Sequence, residues 1–155
     1  RGTGKNGTIK KIGERSGLVE SLWVQRVLGR PVIKAFNSIM AESLLYKSKP
    51  AGTLGRIALP VAGDSAASKK VVMELVDLAG FDPFDAGVLD QSWRQQPGMP
   101  AYCTDLTLEE LPSALERANR ACGPDIRDAF SKELLEGWSQ HTPDDRIRII
   151  RNYHN

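Results

Sequence analysis

Asn37 and Ser38 are polar residues that directly follow Val32–Phe36, a segment predicted to be a short buried strand. Their side chains could bind a cofactor, because open α/β sheets bind ligands beyond the carboxyl ends of their strands. We therefore predict a cofactor site at the turn from Phe36 to Ala41. Two other interpretations remain open: Asn37 or Ser38 caps the helix that follows, and Phe36 belongs to the core.

A second candidate is the segment Gln91–Tyr102, which is polar, aromatic and rich in turn-forming residues, and which has no regular period. It combines Trp93, Arg94, three glutamines and a tyrosine. A loop of this composition either forms a surface corner packed around the tryptophan or binds a ligand. Residue types alone leave both uses open.

Histidine, the side chain that most readily exchanges a proton near neutral pH, is rare in this sequence. The two histidines, His141 and His154, both lie near the end of the chain, and no nucleophile–base triad is evident. Asp64 and Asp85 follow predicted strands, where a carboxylate could hold a metal or transfer a proton. We favour structural roles, with Asp64 capping a helix and Asp85 forming a turn.

Residues Gly2–Gly7 match the dinucleotide-binding pattern G-x-G-x-x-G. That pattern binds pyrophosphate only where a buried strand precedes the first glycine and a helix begins at the last one. No strand precedes Gly2 in this sequence, and Thr8–Gly13 is a poor start for a helix. We therefore reject a phosphate-binding role for this match.

The elements around these residues predict an α/β fold. A strand, a helix and another strand follow the candidate cofactor turn, which predicts a parallel βαβ unit. Apolar residues at helical spacing predict helices in the rest of the chain. The predicted strands are Val32–Phe36, Arg56–Ala62 and Phe81–Ala86, and the predicted helices are Leu18–Leu28, Met40–Tyr46, Ala66–Ala79, Pro112–Cys122 and two that begin at Gly123 and Thr142.

Composition narrows the class of protein. The 155 residues are 41% apolar and 26% charged, and the net charge is +2, as in an ordinary soluble globular protein. No long basic run supports binding to nucleic acid, and no apolar run is long enough to cross a membrane. Cys103 and Cys122 lack the spacing of a metal site, and we expect a reduced pair in a cytoplasmic protein.

Four motifs occur in order along the chain: Lys34–Ile39, Pro60–Asp64, Phe81–Gly87 and Ser92–Tyr102. Together they resemble the C-terminal half of bacterial NADP oxidoreductases of the coenzyme F-420-dependent type. That family is similar to the reductase domain of the membrane ferric reductases of animals. The resemblance covers residues 5–150 and is looser over the C-terminal helices.

The resemblance implies the C-terminal part of a Rossmann-like parallel sheet, followed by a helical C-terminal segment. It implies NADP(H) as the cofactor and hydride transfer to a second redox cofactor or small acceptor, such as coenzyme F-420 or a flavin. Hydride transfer needs positioned rings and excluded water rather than a protein nucleophile. We therefore assign no catalytic residue and no metal from the sequence.

The same resemblance implies residues that border the nicotinamide. Asn37 would make a polar contact with it, and Ala41 is small at a point where a ring must approach closely. The residues expected to bind the cofactor are Phe36, Asn37, Ser38, Ile39 and Ala41.

The loop that follows the last predicted strand would then line the acceptor site. Trp93 could stack on a flat ring, while Arg94 and the pair Gln95 and Gln96 could hold an anionic or carbonyl edge. Tyr102 completes this predicted set. The alternative is that Arg94 pairs with a nearby carboxylate and Trp93 packs the base of the loop.

Family members begin with a strand and a Gly-rich phosphate loop that have no counterpart in this sequence, and Lys5–Ile9 resembles a later loop of the family. We therefore expect a fragment of a longer reductase. Residues 1–105 would complete a dinucleotide-binding domain, and residues 106–155 would form packing or dimerisation helices. We expect a homodimer or association with the missing N-terminal half, because the apolar helix faces exceed what three strands could cover.

Two other functions remain open. A non-catalytic nucleotide-binding or interaction module would keep the fold and show no spectral change with NADPH. A dehydrogenase like those acting on 6-phosphogluconate or pyrroline carboxylate shares the sheet. Such an enzyme needs a catalytic lysine or serine in an all-helical domain, which we do not find in this sequence.

Overall fold

The computed structural model describes residues 19–155. The match at Gly2–Gly7 and the predicted helix start at Leu18 lie outside these residues. No helix of the described part is long and apolar enough to cross a membrane. The described elements are α1 (Glu20–Leu28), α2 (Ala41–Tyr46), β1 (Ala58–Val61), α3 (Ala66–Leu78), β2 (Asp82–Asp85), a 3₁₀-helix (Leu89–Gln95), α4 (Leu111–Glu116), α5 (Gly123–Glu136) and α6 (Pro143–Asn152).

The strands β1 and β2 run parallel, with Ala58 opposite Asp82 and Val61 opposite Asp85. The helix α3 connects them and packs on both strands. All residues of β1 are buried, as expected for a parallel strand that is covered on both faces. The predicted order of strand, helix and parallel strand is confirmed, and these two strands form the regular sheet of residues 19–155.

The prediction of a strand over Val32–Phe36 is wrong. The segment meets the end of β1 at one antiparallel bridge, where Lys34 and Ala62 exchange backbone hydrogen bonds of 2.8 and 3.0 Å. Phe36 has a φ of 58°, so the chain turns away before another pair can align. The turn from Phe36 to Ala41 therefore does not follow a parallel strand, which removes the geometric reason for placing a cofactor there.

Local signals set both ends of α3. Ser65 Oγ accepts a hydrogen bond from the Ser68 backbone N–H at the first turn. At the other end Gly80 has a φ of 94°, which lets the Phe81 N–H reach the Val76 carbonyl at 3.2 Å. This is the hydrogen-bond pattern of a Schellman cap, and it places Phe81 in the core.

Three buried clusters hold the elements together. The sheet core joins α3 to the strands, and a second cluster joins β1 to α4. The helical core joins α5, α6 and the loop before α4, and it contains Cys103, Phe130, Leu134 and Ile150. Since α5 and α6 cover each other within one chain, their apolar faces no longer argue for a dimer. The dimer and the domain boundary at residue 105 stay predictions.

The helix predicted to run from Pro112 to Cys122 ends at Glu116 instead. Asn119 explains the early end, because its side-chain Oδ1 accepts the Ala121 backbone N–H at 3.0 Å. Asparagine competes with the helical hydrogen-bond ladder in this way. The chain then turns before α5 begins.

Candidate functional site

The carboxyl ends of β1 and β2 meet at one edge of the molecule. The Gly63 N–H donates to the Gly87 carbonyl at 3.0 Å and joins the two chain segments that leave the strands. Lys34 lies opposite Ala62 at the same edge, and the 3₁₀-helix begins two residues after Gly87. This arrangement brings Lys34 close to the loop that the sequence assigned to an acceptor site.

Asn37 and Gln95 exchange hydrogen bonds and join the two predicted site segments. Asn37 Nδ2 donates to the Gln95 backbone carbonyl at 2.6 Å, and Gln95 Nε2 donates to Asn37 Oδ1 at 3.2 Å. The Ser38 hydroxyl donates to the same carbonyl at 3.4 Å, and the Ser38 carbonyl accepts the Cys103 N–H at 3.0 Å. Neither residue caps α2, which begins after Met40 without a side-chain cap.

Lys34 lies beside this contact, with its Nζ 3.4 Å from the Ser92 carbonyl. No carboxylate of residues 19–155 forms an ion pair with it. Burial lowers the pKa of the Lys34 ammonium to about 8, although the charge of Glu20 opposes the shift. An amine with this pKa exchanges a proton near neutral pH, and perturbed groups of this kind concentrate at functional sites.

We call Lys34, Asn37, Ser92 and Gln95 the junction cluster. Ser92 and Gln95 are 1% and 0% exposed. Within the described part of the chain, Ser92 Oγ and Gln95 Oε1 have no hydrogen-bond partner. A buried polar atom without a partner costs about 1–3 kcal/mol. Both atoms are closed to solvent, so a ligand could donate to them only if the chain around them opened.

Trp93 and Arg94 lie in the same 3₁₀-helix, and both are half-buried. The Arg94 guanidinium carbon is 5.5 Å from the centroid of the Trp93 ring, within the range of a cation–π contact. No described carboxylate forms an ion pair with Arg94. The alternative in which Arg94 pairs with a carboxylate is therefore not observed in residues 19–155.

The remaining predicted site residues have other surroundings. Phe36 and Ile39 pack with the sheet core, and Ala41 is exposed at the start of α2. Tyr102 packs against the helical core, and burial raises the pKa of its hydroxyl. The predicted cofactor residues and the predicted acceptor residues therefore meet where Asn37 and Ser38 contact Gln95. Phe36, Ile39, Ala41 and Tyr102 lie in other surroundings.

Asp64 and Asp85 both have structural partners. Asp64 Oδ1 accepts the Leu89 N–H at 2.9 Å and so caps the 3₁₀-helix rather than α3. Asp85 Oδ1 accepts the Gly87 N–H at 2.9 Å, which confirms its predicted turn role. The Lys69 ammonium, hydrogen-bonded at 2.6 Å, holds the pKa of Asp85 below its usual range. Residues 19–155 contain no group of three side chains that could hold a metal ion.

Sequence reasoning did not single out Lys34 as a functional residue. The available signal was a charged side chain between Ile33 and Ala35, inside a segment expected to be buried. A buried charge is costly and calls for an explanation. The absence of an ion-pair partner in the described chain could be seen only from the structure.

Comparison with known proteins found the Escherichia coli (strain K12) protein YjhV, which is 42% identical to this chain over 87 residues. The match covers 54% of this chain and 64% of YjhV. No family model matches the chain, and no solved structure matches it either. The name of YjhV states no activity, so this similarity assigns neither a cofactor nor a substrate.

Proposed function

We propose that this protein is an oxidoreductase that transfers a hydride between NADP(H) and a second redox cofactor or small acceptor, with deazaflavins such as coenzyme F-420 among the candidates. The contact between Asn37 and Gln95 carries the proposal. The sequence resemblance assigns Asn37 to the nicotinamide side and Gln95 to the acceptor side. Hydride transfer requires two rings held against each other, so direct contact between these residues supports the assignment.

The polar atoms of the junction cluster suit a ring that carries a carboxamide, as nicotinamide does. Gln95 Oε1 and Ser92 Oγ are buried acceptors without partners among the described residues. An amide that donates to either atom would satisfy it, which requires the covering chain to open, because both atoms are closed to solvent. Trp93 offers an aromatic face beside them, and Arg94 offers a positive charge for an anionic or carbonyl edge of the acceptor.

Lys34 adds a proton-transfer group that the sequence did not assign. Hydride reduction of a flavin or a deazaflavin also takes up one proton. An ammonium with a pKa of about 8 can release a proton at neutral pH and take one up again from water. We assign Lys34 to this role because its Nζ lies 3.4 Å from the Ser92 carbonyl, next to the contact that joins the two predicted sites.

The test uses the full-length protein with NADPH deuterated at the nicotinamide C4 and with coenzyme F-420, FMN or a quinone as the acceptor. We expect mass spectrometry to detect deuterium in the reduced acceptor. Asn37→Ala and Gln95→Ala should each slow the transfer about tenfold or more, because the rings lose their alignment. The matched control is Gln140→Ala, which changes an exposed glutamine in the turn before α6.

Two outcomes would contradict the proposal. NADPH binding without deuterium transfer to any of the three acceptors would favour a nucleotide-binding module that lacks hydride chemistry. An equal loss of rate in Gln140→Ala and in Asn37→Ala would show that the contact between Asn37 and Gln95 has no special role.

A further inference from the structure

A cleft of about 560 Å³ lies between the end of α2, the start of β1 and α6. No residue of the junction cluster lines it, so it is separate from the site proposed for hydride transfer. Its volume falls within the range of small-molecule binding sites. The charged side chains that line it are Lys47, Lys49, Arg148, Arg151, Asp105 and Asp144.

The two carboxylates that line the cleft, Asp105 and Asp144, both form ion pairs with Lys47. Lys47 Nζ lies 3.1 Å from Asp105 Oδ2 and 2.5 Å from Asp144 Oδ1. Arg148 pairs with Asp145, which does not line the cleft. Lys47 and Arg148 are thereby matched by three carboxylates, so these four cations and three carboxylates leave a net charge of +1.

The other two cations, Lys49 and Arg151, are held by backbone carbonyls. Lys49 Nζ donates to two carbonyls at 3.2 and 2.9 Å, and Arg151 donates to two others at 2.7 and 2.9 Å. Carbonyl oxygens orient these groups but do not neutralise their charge. Neither residue has a carboxylate partner among residues 19–155. Each keeps N–H groups that can bind an anion, since lysine has three donors and arginine five.

The cleft also has an apolar wall. Tyr46 is 81% exposed at its edge, and the side chains of Ile57 and Ile147 line it too. An exposed aromatic ring beside a cleft can cover a flat or aliphatic group with little loss of its own conformational freedom.

We propose that this cleft binds a small organic phosphate. The phosphate would contact Lys49 and Arg151, and the organic group would lie against Tyr46. A phosphate monoester carries about −1.5 to −2 charges at pH 7, so it can pair with both Lys49 and Arg151, whereas a singly charged carboxylate can neutralise only one of them. The proposal does not depend on hydride transfer, and either one can fail without the other.

The full-length protein is titrated by calorimetry at low salt with phenyl phosphate, inorganic phosphate and benzoate. We expect phenyl phosphate to bind with a Kd below about 1 mM and more tightly than either comparator. Lys49→Gln should weaken it about tenfold or more, because a charge-assisted contact is lost while an amide donor remains for the carbonyls. Lys70→Gln, at an exposed position of α3, should leave the affinity unchanged.

Tyr46→Ala tests the contact with the organic group separately from the contact with the phosphate. The side chain is mostly exposed, so the variant should fold normally, bind phenyl phosphate several-fold more weakly and bind inorganic phosphate as before. Three results would overturn the proposal: no binding of phenyl phosphate, equal losses in Lys49→Gln and Lys70→Gln, or equal affinity for phenyl phosphate and either comparator.

Discussion

Arg56 and Asp82 form an ion pair that joins the amino ends of the two parallel strands, with 2.8 Å between Nη1 and Oδ1. Arg56 precedes β1 and is 3% exposed, and Asp82 is the first residue of β2. The same guanidinium donates to the carboxylate and the carbonyl of Asp77, at 2.7 and 2.8 Å, in the last turn of α3. One buried side chain therefore ties the three elements of the βαβ unit together.

Replacing Arg56 by methionine should destabilise the protein by about 2–4 kcal/mol, because it leaves two carboxylates without their buried partner. Arg56→Lys should lose less stability than Arg56→Met, because lysine keeps the positive charge. It should still be less stable than the natural protein, because an ammonium cannot reproduce the planar set of guanidinium donors. The measurement is urea unfolding, with the exposed Arg120→Met as the control. Equal midpoints for Arg56→Met and the control would show that the ion pair contributes nothing to stability.

Replacing Gly98 by alanine should be more costly than the same change at Gly29. Both glycines have positive φ, 89° and 64°, so both variants carry backbone strain of about 1 kcal/mol. A Cβ at Gly98 would also lie 2.8 Å from the carbonyl carbon of Gly123 and still closer to its oxygen, whereas nothing lies within 4 Å at Gly29. We expect a total loss of about 2–4 kcal/mol for Gly98→Ala. Similar melting temperatures for the two variants would contradict this contact.

Replacing Lys34 by methionine should stabilise the protein at pH 7. Burial lowers the Lys34 pKa from 10.5 to about 8, so the unfolded chain binds more protons between these values and the stability of the natural protein rises with pH there. Below pH 8 Lys34 is charged in the folded protein, and the full cost of burying that charge applies. The methionine variant should therefore be more stable by about 1–3 kcal/mol. Unfolding measured from pH 7 to 10.5 should show this gain shrinking, with Lys70→Met as the control. A gain that stays constant across this range would refute the buried charge.

The βαβ unit could be predicted because its signals are local. Ser65 begins α3 and Gly80 ends it, and each acts on residues within a few positions of itself. The apolar run through β1 could likewise be read from adjacent residues. The strand limits changed by one or two residues at each end, and the helix between them ends one residue earlier than predicted.

The arrangement of the candidate site depends on contacts that are distant in sequence. Asn37 and Gln95 are 58 residues apart, and nothing in the sequence marked these two residues as a contacting pair. The φ of 58° at Phe36 could not be predicted from the sequence either. Few residues other than glycine adopt a positive φ, and no local sequence pattern marks the ones that do. Tertiary packing decides such features, so the sequence pointed to the right segments and missed how they meet.

The two uses proposed for Arg94 lead to different results when it is replaced by alanine. If Arg94 holds the acceptor, the variant should lose about ten- to a hundredfold in apparent affinity for the acceptor, as expected for one charge-assisted contact of about 1.5–3 kcal/mol. Its affinity for NADPH should stay nearly unchanged. If Arg94 only braces the loop, the melting temperature should fall by several degrees and both affinities should weaken together.

We expect the first result, because Arg94 has no carboxylate partner among residues 19–155 and its contact is the face of Trp93. A half-exposed stacking contact contributes about 0.5–1 kcal/mol, which is too little to hold a loop in place. Steady-state kinetics with varied acceptor and a thermal melt of the same preparation provide the two measurements. Arg94→Lys serves as the matched variant, since it keeps the charge and should recover part of the acceptor affinity. An acceptor affinity that is unchanged in Arg94→Ala would rule out the assignment.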